Sequence, residues 1–282
     1  MDIVHEMLAR YEQNTATERT NALREVMQDI ALAGLQRGGF FDHAAFYGGT
    51  CLRIFYGLPR YSEDLDFSLI ASDKGFKLDP YFDSLRQEFE ALGFSVEIEP
   101  KQKAIDSDIA SAFLKKTASR YDVRVRGEKI LKIKLEVDTD PPLGFETEEK
   151  LLLQPYSFFV RCFTLSDLFA GKMHALLFRP WKNRVKGRDW FDFEWYARKA
   201  IVLNREHLAT RAVQSGHLAP AHAQLGKASL GELLHAKIDS LDIDSARDDV
   251  ARFLRDPSQT DIWSRDYFRE LGRRVIDASV PT

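Results

Sequence analysis

Along residues 16–37, apolar side chains recur three and four apart, at Leu23, Val26, Met27, Ile30, Ala31 and Leu35. That is the spacing of one helix face. Thr17 or Thr20 is placed to cap this helix, and Gly38-Gly39 ends it. Gly34 falls on the same face, where a missing side chain lets a neighbour approach closely. The period then changes from helical to alternating. In Ser62–Leu69 residues two apart share a face, so Asp64 and Asp66 point one way while Leu65, Phe67 and Leu69 point the other, into a core. Further strands are predicted at 94–99, 110–125, 130–138 and 158–163, with a helix at 81–92 between the first two alternating stretches. Beyond Ser166 the pattern turns helical: 166–178, a helix from about Asp189, and short amphipathic helices at 230–241 and 248–254.

This order predicts an α/β (α+β) chain. A mixed sheet occupies residues 1–164, a mostly helical part spans 165–282, and the site is expected in the cleft between them. The Pro/Gly break at 141–144 and the basic loop at 179–188 are not clean linkers. Length and composition fit an ordinary globular protein: 282 residues, 44% hydrophobic and 29% charged. A net charge of −3 gives no global argument for nucleic-acid binding. Two cysteines, Cys51 and Cys162, make no disulfide framework, and no Cys/His cluster has zinc spacing. With no signal pattern at the N-terminus and no membrane-length apolar run, the expected location is the cytoplasm.

Chemistry concentrates in residues 46–69. Asp64 and Asp66 repel each other and favour a cation between them. One or two carboxylates with substrate phosphates is the way proteins bind Mg²⁺. Gly48-Gly49-Thr50 precedes a short helix from Cys51 to Tyr56. Glycines let backbone N–H groups approach phosphate, and a helix N-terminus favours anions. Asp-x-Asp alone is common on solvated strands; the Gly-Gly turn at this spacing turns the reading toward a metal–phosphate site. On the 130–138 strand Lys132, Lys134, Glu136 and Asp138 share a face, and a third carboxylate there would complete a metal site. Lys172 lies among apolar residues, where a lone lysine often only snorkels. Arg179, Lys182, Arg184, Lys186 and Arg188 precede a helix on which Asp189 and Asp192 share a face. This loop is the local candidate for a triphosphate or nucleic-acid contact, with Trp181 and Trp190 available for base stacking. In the bland reading Asp189 caps the helix and Trp190 is core. The basic residues around Lys115, Arg120, Arg124 and Arg126 read as a solvated strand face.

Gly48-Gly49-Thr50, Leu52-Arg53, Arg60, Ser62 and Asp64-Leu65-Asp66-Phe67 resemble the first motif of the AbiEii/AbiGii toxins, and the resemblance runs from about residue 20 to 272. That family lies in the nucleotidyltransferase superfamily related to DNA polymerase β and supplies toxins of type IV toxin–antitoxin systems. The resemblance implies a nucleotidyltransferase fold and transfer of NMP from an NTP with Mg²⁺ (or Mn²⁺). It implies an RNA acceptor, the 3′ end of tRNA, and a cognate antitoxin, with no membrane role. It assigns the metal to Asp64 and Asp66, with Glu136 the first choice for a third ligand and Asp138 the second. It assigns nucleotide contacts to Gly48, Gly49, Thr50, Arg53, Ser62 and Lys172. Asp189, with Asp192 and Arg188 beside it, belongs to a region that closes the site; Asp189 would orient Lys172 or act on the acceptor. The alternatives are the same fold acting on a protein or small molecule, or a binding module without catalysis.

Overall fold

The computed structural model describes residues 3–100, 118–126, 131–180, 185–220 and 224–279. The first part of the strand predicted at 110–125, with Lys115, and Trp181 to Arg184 in the basic loop lie outside these residues. The chain divides into two units. A sheet unit holds Met1–Cys51, Glu63–Pro141 and Thr147–Cys162; a helical unit holds Leu52–Ser62, Pro142–Glu146 and Phe163–Thr282. The sequence reading ran the first part continuously to 164, whereas 52–62 and 142–146 group with the helices.

The sheet unit opens with helices α1 (Ile3–Leu8) and α2 (Ala16–Arg37). The cap of α2 is Thr15, in place of the predicted Thr17 or Thr20. Its hydroxyl accepts from the Glu18 N–H while the Glu18 carboxylate accepts from the Thr15 N–H, a reciprocal capping box. Thr20 lies one turn inside and donates its hydroxyl to the Ala16 carbonyl. From Glu25 to Leu35 the helix is buried on every side. At Gly34 a Cβ would come within 2.9 Å of the Leu85 Cα on helix α4 (Phe82–Ala91), so the predicted close approach is made by that helix.

Among the described residues seven strands form one mixed sheet: β1 (Ala44–Tyr47), β2 (Asp64–Leu69), β3 (Ser95–Pro100), β4 (Ala118–Arg126), β5 (Leu131–Asp138), β6 (Thr147–Leu152) and β7 (Phe158–Phe163). Their order is β3-β4-β5-β2-β1-β7-β6. Strand β2 lies antiparallel to β1 and parallel to β5. Alternation on β2 and β5 sorts the two faces. Leu65, Phe67, Ile133, Leu135 and Val137 are fully buried, and Phe67 meets Phe40 and Phe46 with ring centroids 4.9 and 5.2 Å apart. Burying one such phenylalanine stabilises the fold by about 2–3 kcal/mol, and Phe67→Ala would cost about 3–5 kcal/mol once the cavity is included. The opposite face carries Asp64, Asp66, Lys134, Glu136 and Asp138, all partly exposed.

Among the described residues six α-helices make the body of the second unit: α5 (Leu165–Phe178), α6 (Gly187–Arg198), α7 (Arg205–Gln214), α8 (Lys227–Asp239), α9 (Ile243–Ala251) and α10 (Arg265–Ser279). Trp190 is fully buried, 4.8 Å from Phe268 and 6.2 Å from Phe193 between ring centroids. Packed on all sides, it has no face to offer a base, which corrects its candidacy as a stacking platform. Segment 52–62 joins this unit through the Tyr61 N–H, which donates to the Phe253 carbonyl at 2.9 Å. No helix among the described residues is long and apolar enough to cross a membrane.

Candidate active site

In the sheet unit, β1 runs directly into helix α3 (Gly48–Tyr56). Gly48 has φ +84°, a left-handed conformation that side chains disfavour. A Cβ placed on it would lie 2.5 Å from Asp66 Oδ2. The absent side chain is therefore what lets the Asp66 carboxylate sit against the start of α3, where the helix dipole favours negative charge. Thr50 is fully buried and donates its hydroxyl to the Asp64 carbonyl, pinning α3 to the first residue of β2. The predicted spacing thus produces a local object: two carboxylates on one strand face, of which Asp66 sits against a glycine-led helix N-terminus.

Parallel pairing places Asp64 beside Lys134 and Asp66 beside Glu136. Lys134 forms an ion pair with Glu136, and its Nζ is 3.9 Å from Asp64 Oδ2. Among the described residues no group of three or more His, Cys, Asp or Glu is arranged to hold a metal ion. The donor set fits a hard cation that takes its remaining ligands from phosphate and water. The room that Gly48 leaves for Asp66 supports that fit. Asp138 accepts from the Asp140 N–H at 3.2 Å.

Within the helical unit a second charged group is buried. Lys172 on α5 meets Asp189 Oδ1 at 2.9 Å and Asp192 Oδ2 at 2.8 Å, both on α6. Arg60 grips Asp192 with two parallel bonds, Nε to Oδ1 at 2.6 Å and Nη2 to Oδ2 at 2.7 Å. Arg179 reaches Asp189 Oδ2 at 3.3 Å. Arg60 and Asp189 are each 3% exposed and Asp192 not at all. Burial pushes the Asp192 carboxyl up, but Arg60 and Lys172 outweigh it and hold the group below the usual carboxylate range. Asp189 shows the same balance, burial against Lys172 and Arg179. Lys172 is therefore a held ammonium rather than a snorkelling one. Two of its three N–H donors are engaged by these carboxylates.

The other assigned residues take varied places. Arg53 donates to the Leu58 carbonyl at 3.0 Å and stacks over Tyr61, bracing the loop after α3. Ser62 is buried. Arg188 lies over the Phe253 ring at 4.3 Å. Arg124 pairs with Glu99 on β3 at 2.8 Å, as a strand-face charge does. The sequence reading gave Arg60 no role at the site. Its sequence signal was its place in the motif that carries the family resemblance, two residues before Ser62, and its partner is 132 residues away.

Mixed sheet, glycine-led helix and strand-borne aspartates together define a nucleotidyltransferase-type α/β protein. A family profile described as "Nucleotidyl transferase AbiEii toxin, Type IV TA system" matches residues 30–272. The chain belongs to this family and is a nucleotidyltransferase by class. Membership implies an NTP substrate and an antitoxin partner. The fold is shared with solved structures at low identity. MenT4, a nucleotidyltransferase toxin from Mycobacterium tuberculosis, is 16% identical with a TM-score of 0.52, covering 97% of this chain and 87% of its own. JHP933 from Helicobacter pylori is 19% identical with a TM-score of 0.52, covering 89% of each chain. A candidate nucleotidyltransferase from H. pylori is 20% identical with a TM-score of 0.51, covering 90% and 91%. No curated protein matches the chain.

Proposed function

We propose that this chain is a Mg²⁺-dependent toxin that transfers a nucleoside monophosphate from an NTP to the 3′ hydroxyl of tRNA, stopping translation. The observation that carries the metal–phosphate reading is the seating of Asp66 against Gly48, with Asp64 on the same strand face. Asp64 and Asp66 would hold the metal. Bound there, a divalent cation supplies charge neutralisation for the triphosphate and orientation for in-line displacement. The N-terminus of α3, opened by Gly48 and Gly49, favours phosphate. Lys172 would give its remaining N–H to a phosphate oxygen, while Asp189 and Asp192 fix its position. In the transfer, the acceptor oxygen bonds to the α-phosphorus, the α–β bridge breaks, and pyrophosphate leaves; the acceptor proton passes to a carboxylate or solvent. Glu136 and Asp138 are the carboxylates on the neighbouring strand assigned to that role or to a further metal ligand. The tRNA acceptor rests on the family resemblance.

Incubating the purified chain with each radiolabelled NTP, bulk RNA and a protein mixture tests the reading. Mg²⁺-dependent label in RNA is the expected result. Label in protein would move the acceptor to another class, and no label with any NTP would overturn the proposal.

A further inference from the structure

We propose that Lys134 is a built-in competitor for the metal, setting how tightly the Asp64–Asp66 face takes a divalent cation. This rests on the reading of that face as the metal site. Three observations carry it. Lys134 sits beside Asp64 in the parallel register of β2 and β5, and Glu136 sits beside Asp66. Its ammonium pairs with Glu136 and lies 3.9 Å from Asp64 Oδ2. All four side chains share the polar sheet face and are partly exposed.

Carboxylates on one strand face repel, and some cation must relieve them. Here the cation is part of the chain. A divalent ion arriving at Asp64 meets Lys134 as a like charge and must displace its hold on the carboxylates. Two unit charges about 4 Å apart already change binding about fivefold at the dielectric of bulk water, and a divalent ion doubles the charge that meets Lys134. The face is therefore tuned against metal alone. An NTP that brings its own negative charge would draw the Lys134 ammonium to phosphate and let the metal take the carboxylates. Lys134 acts here as a positioning residue, coupling metal loading to substrate.

The test is Mn²⁺ binding to the full chain without nucleotide, followed by water-proton relaxation at fixed ionic strength. Wild-type, Lys134→Met, Lys134→Arg and Asp64→Asn are compared, with folding of each checked by thermal denaturation. Lys134→Met should bind Mn²⁺ more tightly than wild-type, by at least about fivefold. Lys134→Arg keeps the charge and should stay near wild-type, and Asp64→Asn should bind weakly. Binding that needs Asp64 but is equal or weaker in Lys134→Met overturns this inference alone. So does Lys134→Arg tightening as much as Lys134→Met. Binding that is absent in every protein, or indifferent to Asp64→Asn, removes the metal reading of the face and this inference with it.

Discussion

Asp192→Ala is the substitution whose cost follows most directly from the geometry. The wild-type carboxylate takes two bonds from Arg60, at 2.6 and 2.7 Å, and one contact from Lys172 at 2.8 Å. Removing it leaves the Arg60 guanidinium, 3% exposed, without its ion-pair partner. Breaking a buried pair on one side typically costs about 3–5 kcal/mol, because the remaining charge stays desolvated. Asp189→Ala should cost less, about 1–2 kcal/mol. Asp189 loses Lys172 at 2.9 Å and Arg179 at 3.3 Å, but the Arg179 side chain is about half exposed and water can take over its charge. Equilibrium urea denaturation of both variants, with Arg60→Met and the Arg60→Met/Asp192→Ala double variant, gives the comparison. The double variant should be more stable than Asp192→Ala, since both charges leave together. A loss under about 1 kcal/mol in Asp192→Ala, or purely additive effects of the two sites, would refute the buried clamp.

Other outcomes are expected elsewhere. Gly48→Ala should lower stability by about 1–2 kcal/mol through its left-handed backbone, and it should abolish transfer by displacing Asp66; full transfer activity in the folded variant would contradict the seating of that carboxylate. Asp29→Asn tests a buried carboxyl on α2 whose pKa burial pushes up to about 7, against the pull of Arg10 2.9 Å away. The unfolded value is about 4, so native Asp29 binds its proton more tightly. Its contribution is full below about pH 4 and is lost as pH rises toward 7, at up to about 1.4 kcal/mol per pH unit. Denaturation of both proteins at pH 5 and pH 8 should show wild-type losing ground to Asp29→Asn at the higher pH; a constant difference would place the Asp29 pKa near normal.

Period and spacing carried the part of the site that is local in sequence. Alternation put Asp64 and Asp66 on one face, and the Gly-Gly turn foretold the glycine-led helix. Long-range pairing was not legible. Nothing near Arg60 in sequence signals Asp192, and Lys172 looks like a surface lysine until α6 brings two carboxylates to it. Lys134 was read as one member of a mixed polar face; its pairing with Glu136 depends on side-chain geometry that alternation leaves open. Strand β6 was missed because Glu148-Glu149-Lys150-Leu151-Leu152 does not alternate cleanly, and as the last strand in the sheet order it buries little. The α2 cap was misplaced because Thr15, Thr17 and Thr20 all precede the apolar run, and only Thr15 has glutamate three residues on.

The central claim is that the Asp64–Asp66 face transfers nucleotides to RNA. Its most direct measurement is the intact mass of purified tRNA after incubation with the chain, Mg²⁺ and an NTP, beside Asp66→Asn under the same conditions. The account predicts tRNA heavier by whole nucleotide residues with wild-type and unchanged with Asp66→Asn. Unchanged tRNA with folded wild-type and every NTP, or equal extension by Asp66→Asn, would contradict it.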